Sequence, residues 1–387
     1  MSKQIIVAGE DLSDYREKGL AGARRLADWL VACQCPYEQN EPAAGTFYWC
    51  TDASGQAYYA NNWNLAFAVM GLLAAEHEFG GGVYRETAFR FARFLKSLQI
   101  FSPFLPQHYG AFREITPQTS WCYVRDALSA AWAMLVLHQE TGDDEYLQRA
   151  KLWYEWFRKE GLNEWGWPKW GVNFEPFFGS VNIRICNDIN GCFHGGSLNF
   201  FYQLHKATGD SACVGDFYHR MIEILVTQIQ QEDGFFRSVV GATGKVPEKD
   251  PQNGLHRGND DLSTLGLAGA YRLTGDPRCL HAIERFFSAV FARQGADGGV
   301  ESSVAANAVV LNALYETQDL HPQFAKPDGG AAALLDNLLS RQVSSDNPLL
   351  NGGLDEFGKG TVCSRSGCYA LIMLLKLFGD AGCRYLS

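Results

Sequence analysis

Two aspartates stand at the heads of consecutive apolar segments of the chain, Asp126 before one and Asp188 before the next. Two carboxyl groups that face one cavity can supply the general acid and the general base of a bond-cleaving reaction. The alternative is structural, because Asp is also one of the preferred residues at the N-cap of a helix. The sequence leaves both interpretations of these residues open.

The other polar and aromatic residues near these segment heads are of the types that bind sugars. Aromatic rings stack on pyranose faces, amides pair with hydroxyl groups, and the planar guanidinium of Arg meets a carboxylate through two hydrogen bonds. The residues predicted to contact substrate are Trp63, Trp121, Tyr123, Arg125, Arg184, Asn187, His194, His256, Arg257, Asn259, Asp260 and Arg365.

Several candidates also have an ordinary structural explanation. Glu114 is expected to be a solvated loop acid, or else an acid that moves over a ligand. Asp260 can form an ion pair with Arg257, and His194 and His256 can be structural histidines. The sequence contains no metal-ligand motif, serine-nucleophile elbow, phosphate loop or dinucleotide-binding motif, so we predict neither a metal nor a cofactor.

A repeated turn indicates how the chain positions these residues. The triplet Thr-Gly-Asp occurs at 141–143, 208–210 and 274–276, at almost even spacing. A Gly after an apolar helix fits the C′ position, where φ is positive, and the Asp can cap the next helix. Degenerate forms at 79–80, 317–319 and 378–380 bring the number of turns to six, which predicts six antiparallel helix pairs.

The helices fall into two classes. Segments that are apolar nearly all round predict buried inner helices at 62–79, 122–140, 191–207, 260–273, 302–316 and 364–378. Amphipathic segments predict outer helices at 84–99, 144–159, 214–231, 277–293 and 329–342, and an N-terminal helix at 14–33 is expected to close the ring.

The predicted fold is therefore an all-α (α/α)6 toroid, or six-hairpin barrel, with residues 1–387 in one domain. Long passages lead from each outer helix to the next inner helix, and the candidate residues lie on them or directly after them. Because these passages share one face of the ring, we expect the site at the mouth that they form.

Composition narrows the function classes. The 387 residues are 47% hydrophobic and 20% charged, enough for a large core. The net charge of −10, without a basic run, argues against nucleic acid as a partner. The N-terminal apolar stretch is too short for a signal peptide, no stretch is long enough for a membrane span, and eleven unpatterned cysteines are typical of reduced thiols in a cytoplasmic protein. Both a monomer and a homo-oligomer are compatible with this surface.

Three stretches resemble the unsaturated glucuronyl hydrolases and their unsaturated rhamnogalacturonyl relatives within the six-hairpin glycosidases. Residues 256–268, His-Arg-Gly-Asn-Asp-Asp-Leu-Ser-Thr-Leu-Gly-Leu-Ala, are similar to the stretch that opens the family's fourth inner helix, and residues 301–308 resemble that of the fifth. Asp188, within Asn187-Asp188-Ile189-Asn190, falls where the family carries its catalytic aspartate. Asp126 falls where the family keeps a second acidic residue, at the head of the second inner helix. The chain departs from the family at Asp261, where an aromatic residue is usual, and at Glu301, which replaces Asp.

The resemblance implies a glycoside hydrolase acting on a small oligosaccharide, including one with an unsaturated uronic acid. Asp188 would protonate the ring double bond and then help water add, while Asp126 would tune its proton affinity. The arginines that could bind the uronic carboxylate are Arg125, Arg184, Arg257 and Arg365.

Other functions stay open at this point. Two carboxyl groups could instead invert a saturated glycoside. A sugar epimerase, isomerase or lyase using His194 or His256, and a non-catalytic sugar binder, are alternatives on the same fold. A terpene cyclase would need a less polar lining.

Overall fold

Apolar and amphipathic helices alternate along the chain in the computed structural model, which describes residues 4–35, 44–174, 188–241, 261–301, 303–320 and 326–386. The apolar set is α2 (Asn62–Phe79), α4 (Val124–Thr141), α6 (Gly191–Thr208), α8 (Asp261–Thr274), α10 (Ala305–Thr317) and α12 (Ser364–Phe378). The amphipathic set is α1 (Arg16–Ala32), α3 (Val83–Ser97), α5 (Asp144–Glu160), α7 (Asp216–Ile224), α9 (Pro277–Ala292) and α11 (Gly330–Ser340).

The apolar helices form a closed inner ring. Each packs on the next in the order α2, α4, α6, α8, α10 and α12, and α12 packs back on α2. Their side chains are buried on almost every face, which is why they are apolar all round. This arrangement confirms the predicted (α/α)6 toroid.

The N-terminal helix α1 completes the outer layer, as predicted. It packs against α12, α2 and α3. The side chain of Gln342, which follows α11, donates a hydrogen bond of 3.0 Å to the carbonyl of Gly22 in α1. The first and last parts of the chain are therefore joined in both layers of the ring.

The Thr-Gly-Asp turns have the predicted geometry. Gly142, Gly209 and Gly275 have φ of 69°, 70° and 71°, and the aspartate after each of them caps the following turn of helix. The degenerate turn at 378–380 differs, because Gly379 has φ of −73° and ψ of 149°, so the prediction of a positive φ there is wrong.

The outer helix predicted at 214–231 is divided into three parts. Asp210 caps a 3-10 turn at Ser211–Val214 rather than α7 itself, and Leu225–Ile229 form a π-helical turn after α7. The sequence pattern did not show this division, because the apolar spacing continues through all three parts.

Short antiparallel strands accompany the helices, which the description as all-α left out. They are β1 (Ile6–Val7), β2 (Glu10–Asp11), β3 (Tyr48–Thr51), β4 (Ala57–Tyr59), β5 (Trp121–Tyr123), β6 (Gly171–Asn173), β7 (Ile189–Asn190), β8 (Val239–Val240) and β9 (Val362–Cys363). The small sheets have the orders β1-β2, β4-β3-β9, β5-β6 and β7-β8. Strands β5, β7 and β9 lead directly into α4, α6 and α12, and β4 precedes α2 by two residues, so these strands hold the residues at the inner helix starts.

A glutamine after an outer helix recurs as a joint between neighbouring hairpins. The side-chain amide of Gln230 donates to the carbonyl of Gly234 in its own loop and to that of Ala282 in the next outer helix, at 2.9 and 2.7 Å. Gln99, Gln294 and Gln342 make the same two kinds of bond. Sequence reasoning missed this joint, although glutamine at the end of the outer helices is visible in the sequence.

Two general features of the described residues complete the fold. None of their helices is long and apolar enough to cross a membrane. Eight of their ten cysteines are buried.

Candidate functional site

Hydrogen bonds of Glu114 and Trp170 link the starts of the neighbouring inner helices α2, α4 and α6. Neither candidate acid is an N-cap there, so the capping explanation of both is wrong. The N-cap of α4 is Tyr123, and Asp126 is the third residue of that helix. The N-cap of α6 is Asn190, whose side chain accepts a hydrogen bond of 3.2 Å from the Phe193 amide. Another reason is therefore needed for an aspartate at 126 and at 188.

Glu114 lies between the first two inner helices and is buried, with 1% of its surface exposed. Its backbone carbonyl accepts a hydrogen bond of 2.8 Å from the Asn62 amide at the start of α2. Its amide donates to the carbonyl of Trp121 at 3.0 Å, and its Oε2 accepts from the Tyr123 amide at 2.8 Å. The expectation of a solvated loop acid is wrong for Glu114, because three backbone contacts hold it inside the fold.

The Glu114 carboxyl reaches the carboxyl of Asp126 within hydrogen-bond distance. Burial first, and then the Asp126 charge, raise the pKa of Glu114 well above its ordinary value. Burial also raises the pKa of Asp126, while the Arg125 guanidinium and the hydrogen bond from Glu114 oppose that rise. Asp126 is partly exposed, so the pair joins a buried acid to one that meets the mouth.

Aromatic residues and one arginine surround this pair. The Arg125 guanidinium lies 5.8 Å from the centre of the Trp63 ring and donates to Ser129 Oγ at 2.8 Å. The rings of Trp121 and Tyr123 meet edge to face, with centres 5.1 Å apart. All four side chains that we predicted here are partly exposed, as ligand-binding groups have to be.

Asp188 is tied to the same region through a tryptophan. The indole Nε1 of Trp170 donates to the backbone carbonyl of Asp188 at 3.2 Å, and the Trp170 carbonyl accepts from the Val124 amide at 3.1 Å. Because Val124 begins α4, this link holds Asp188 beside the helix that carries Asp126. Asp188 is partly exposed.

His194 lies in the environment of a structural histidine, the alternative that the sequence left open for it. Its ring is fully buried, and Nδ1 pairs with the Asn190 carbonyl at 2.8 Å. Burial lowers the pKa of His194 to about 4, against the opposing hydrogen bond to the Asn190 carbonyl and with a smaller contribution from the charge of Arg220 in the outer helix α7. This environment favours a structural role over the predicted contact with substrate.

Arg365 is engaged by an acid that sequence reasoning missed. Its Nε donates to Oε1 of Glu356 at 3.0 Å, and Nη2 donates to Ser303 Oγ at 2.6 Å. Glu356 is 1% exposed, so its carboxylate and the guanidinium neutralise each other inside the fold. The sequence feature that could have indicated Glu356 is its position in the long passage before α12.

The remaining candidates lie outside the described residues, as do residues 256–260 of the stretch at 256–268 that carries the resemblance. They are Arg184, Asn187, His256, Arg257, Asn259 and Asp260. Within the described ranges, no group of three or more His, Cys, Asp or Glu side chains is placed to hold a metal ion.

No protein-family model and no curated protein matches the sequence. Solved structures share the fold over nearly the whole chain. A cellobiose 2-epimerase from Bacillus thermoamylovorans is 13% identical with a TM-score of 0.69, over 92% of this chain and 100% of its own. A GH76A α-1,6-mannanase from Salegentibacter is 16% identical with a TM-score of 0.63, over 93% and 98%. A family 76 mannosidase from Bacteroides thetaiotaomicron is 13% identical with a TM-score of 0.66, over 92% and 99%.

Proposed function

We propose that this protein is a carbohydrate-active enzyme, a glycoside hydrolase that takes a small oligosaccharide at the mouth of the ring. Asp126 and Asp188 are the acid and base of the reaction. The observation that carries the proposal is the carboxyl pair of Glu114 and Asp126 beside partly exposed aromatic rings. Two carboxyl groups in contact are costly to bury, and such costs are concentrated at functional sites.

The structural neighbours support the sugar chemistry. The mannanase was captured with α-1,6-mannotriose in a variant made inactive by replacing two consecutive aspartates with asparagine. In this chain, consecutive aspartates occur at 143–144, in a turn on the opposite face, and at 260–261, where Asp261 begins α8. Because one fold hosts many chemistries, the catalytic roles rest on the residues of this mouth.

A neutral, saturated glycoside fits the described charges better than a uronic acid. Of the four arginines considered for a uronic carboxylate, two belong to the described residues: Arg365 is neutralised by Glu356, and Arg125 lies next to Asp126. In the reaction we propose, Asp188 protonates the leaving oxygen while the Asp126 carboxylate activates water.

The test is turnover of a panel of neutral oligosaccharides and unsaturated uronic disaccharides. We expect reducing sugar to be released from a neutral substrate, and Asp188→Asn to lower kcat by about 10²- to 10⁴-fold, the usual contribution of an acid–base group. Asp143→Asn, a conservative change on the opposite face, is the control and should leave kcat unchanged.

Other outcomes point elsewhere. Loss of the ultraviolet absorbance of the conjugated double bond would assign the uronic substrate instead. Deuterium uptake from solvent without bond cleavage would favour an isomerase using His256. Sugar binding without turnover, unaffected by Asp188→Asn, would make the protein a binder.

A further inference from the structure

The Glu114 carboxyl has an oxygen that no donor group satisfies. Oε2 is occupied by the Tyr123 amide, but Oε1 is buried and receives no hydrogen bond from the N–H and O–H groups of the described residues. The side chain that the Glu114 carboxyl does reach is Asp126. Two carboxylates offer only acceptors, so their contact becomes a hydrogen bond only if one of them carries a proton.

The surroundings decide which of the two carries it. Glu114 is almost fully buried, whereas Asp126 is partly exposed. Asp126 also has the Arg125 guanidinium beside it and the Asn61 amide at 3.5 Å, and both favour its charged form. A proton on Glu114 therefore leaves the charge on the acid that is better solvated and better compensated.

The groups around the pair do not compete for this proton. Among the described residues, the charged and titratable neighbours are Arg125 of α4, together with Cys122 and Tyr123 of β5. The nearby side chains at the start of α2 are the neutral Asn61, its N-cap, and Asn62. Burial raises the pKa of the Cys122 thiol and of the Tyr123 hydroxyl, so both stay neutral at physiological pH.

We infer that Glu114 is a proton-holding positioning residue, which donates its proton as a hydrogen bond to Asp126 and keeps Asp126 an oriented carboxylate at the mouth. Glu114 acts through Asp126 and does not itself meet the substrate. Its part in turnover rests on the proposed function, whereas the position of the proton does not. With Asp126 held as the base, Asp188 is left as the acid.

Two substitutions of similar volume separate this role from simple packing. In Glu114→Gln, the amide oxygen can still accept from the Tyr123 amide, and the NH₂ group can still donate to Asp126. In Glu114→Met, neither bond is possible. The readout is the side-chain carboxyl ¹³C signal of Asp126 in aspartate-labelled protein, assigned by its loss in Asp126→Asn and followed against pH.

We expect the pKa of Asp126 to change by less than about one unit in Glu114→Gln and to rise by about one to two units in Glu114→Met, the size expected for losing a hydrogen bond to a charged group. The pH dependence of kcat should move with it in Glu114→Met and be restored in Glu114→Gln.

Two results would overturn the inference. If the pKa of Asp126 falls in both variants, Glu114 was ionised and had been repelling Asp126. If the wild-type signal is that of a protonated acid at neutral pH, the proton resides on Asp126. Should Glu114→Met fail to fold, the pKa of Asp126 in Glu114→Gln and the wild-type signal still decide which carboxyl group carries the proton. The expected titration without turnover of any sugar would uphold the proton assignment and reject the proposed function.

Discussion

At the scale of single residues, burial separates side chains that look alike in the sequence. Glu114 and Glu155 are both glutamates near aromatic residues, but Glu114 is held between two helix starts and Glu155 is exposed on α5. His194 shows the same effect for a base. The Asn190 carbonyl holds its ring in place, and its neutral form is the stable one because burial lowers its pKa.

His194 should make the protein sensitive to acid. Its folded-state pKa is lowered from 6.5 to about 4, so the folded state resists protonation and loses stability as the pH falls from 6.5 towards 4. The loss should approach about 3 kcal/mol at the acid end. Urea unfolding at several pH values should show this loss in the wild type and in the exposed control His219→Gln, but much less of it in His194→Gln. If His194→Gln instead shows the same dependence of stability on pH as the wild type and abolishes turnover, the histidine is catalytic. That result would support the isomerase alternative.

At the scale of elements, the glutamine joints explain how the hairpins hold a common orientation. Each joint ties a mouth loop to the outer helix of the next hairpin, so the loops that carry site residues cannot move independently. The glycine that accepts the bond is also a point of close approach. A Cβ added to Gly234, whose φ is 88°, would lie 2.6 Å from the Arg285 carbonyl of α9.

Gly234→Ala should therefore cost more stability than the same change in an open turn. We expect a loss of about 2–3 kcal/mol, because strain from the positive φ adds to the clash with α9. Gly275→Ala is the matched control, since Gly275 also has positive φ but nothing within 4 Å of an added Cβ, and should cost about 1–2 kcal/mol. Chemical denaturation measures both, and equal losses would show that the joint is not a tight contact.

At the scale of the whole molecule, ring closure makes α1 part of the core rather than an appendage. A Cβ added to Gly19 of α1 would lie 2.4 Å from the ring of Phe378 in α12, so these two helices approach closely where the chain meets itself. In an open stack of hairpins, the first helix could unfold alone. In a closed ring, the loss of one helix exposes the faces of the helices that pack on it from both sides.

Gly19→Leu should consequently destabilise the entire ring. We expect a loss of about 1–3 kcal/mol from overpacking, with Glu17→Leu on the exposed face of α1 as the control. Hydrogen exchange followed by mass spectrometry should show faster exchange in α1 and in the distant α5 alike. Faster exchange confined to α1 would contradict closure as the source of cooperativity.

Much of the fold could be predicted because its signals are local. The apolar segments placed α2 and α12 with the observed bounds, and the Thr-Gly-Asp triplets placed the turns after α4, α6 and α8. Both signals were sufficient because turn chemistry and helical periodicity depend on neighbours within a few residues. The division of the outer helix around α7 and the strand β5 were missed, because both depend on contacts with other hairpins.

The site was predictable only in part. Trp63, Trp121, Tyr123, Arg125 and Asp126 were grouped because equivalent places on consecutive hairpins come together in a ring, and the structure brings these five together. The burial of Glu114 and the engagement of Arg365 by Glu356 could not be anticipated from residue type, since either acid could as well have been solvated.

The sequence by itself determined the alternation of inner and outer helices, the turns between them and the face on which polar residues gather, because each follows from the order of side chains along a short stretch. Only the tertiary structure decided that Glu114 meets Asp126 out of water and that His194 is buried beside the outer layer. A carboxyl or imidazole changes its proton affinity through solvent exclusion and through charges brought close from other hairpins, and neither is encoded at the residue itself.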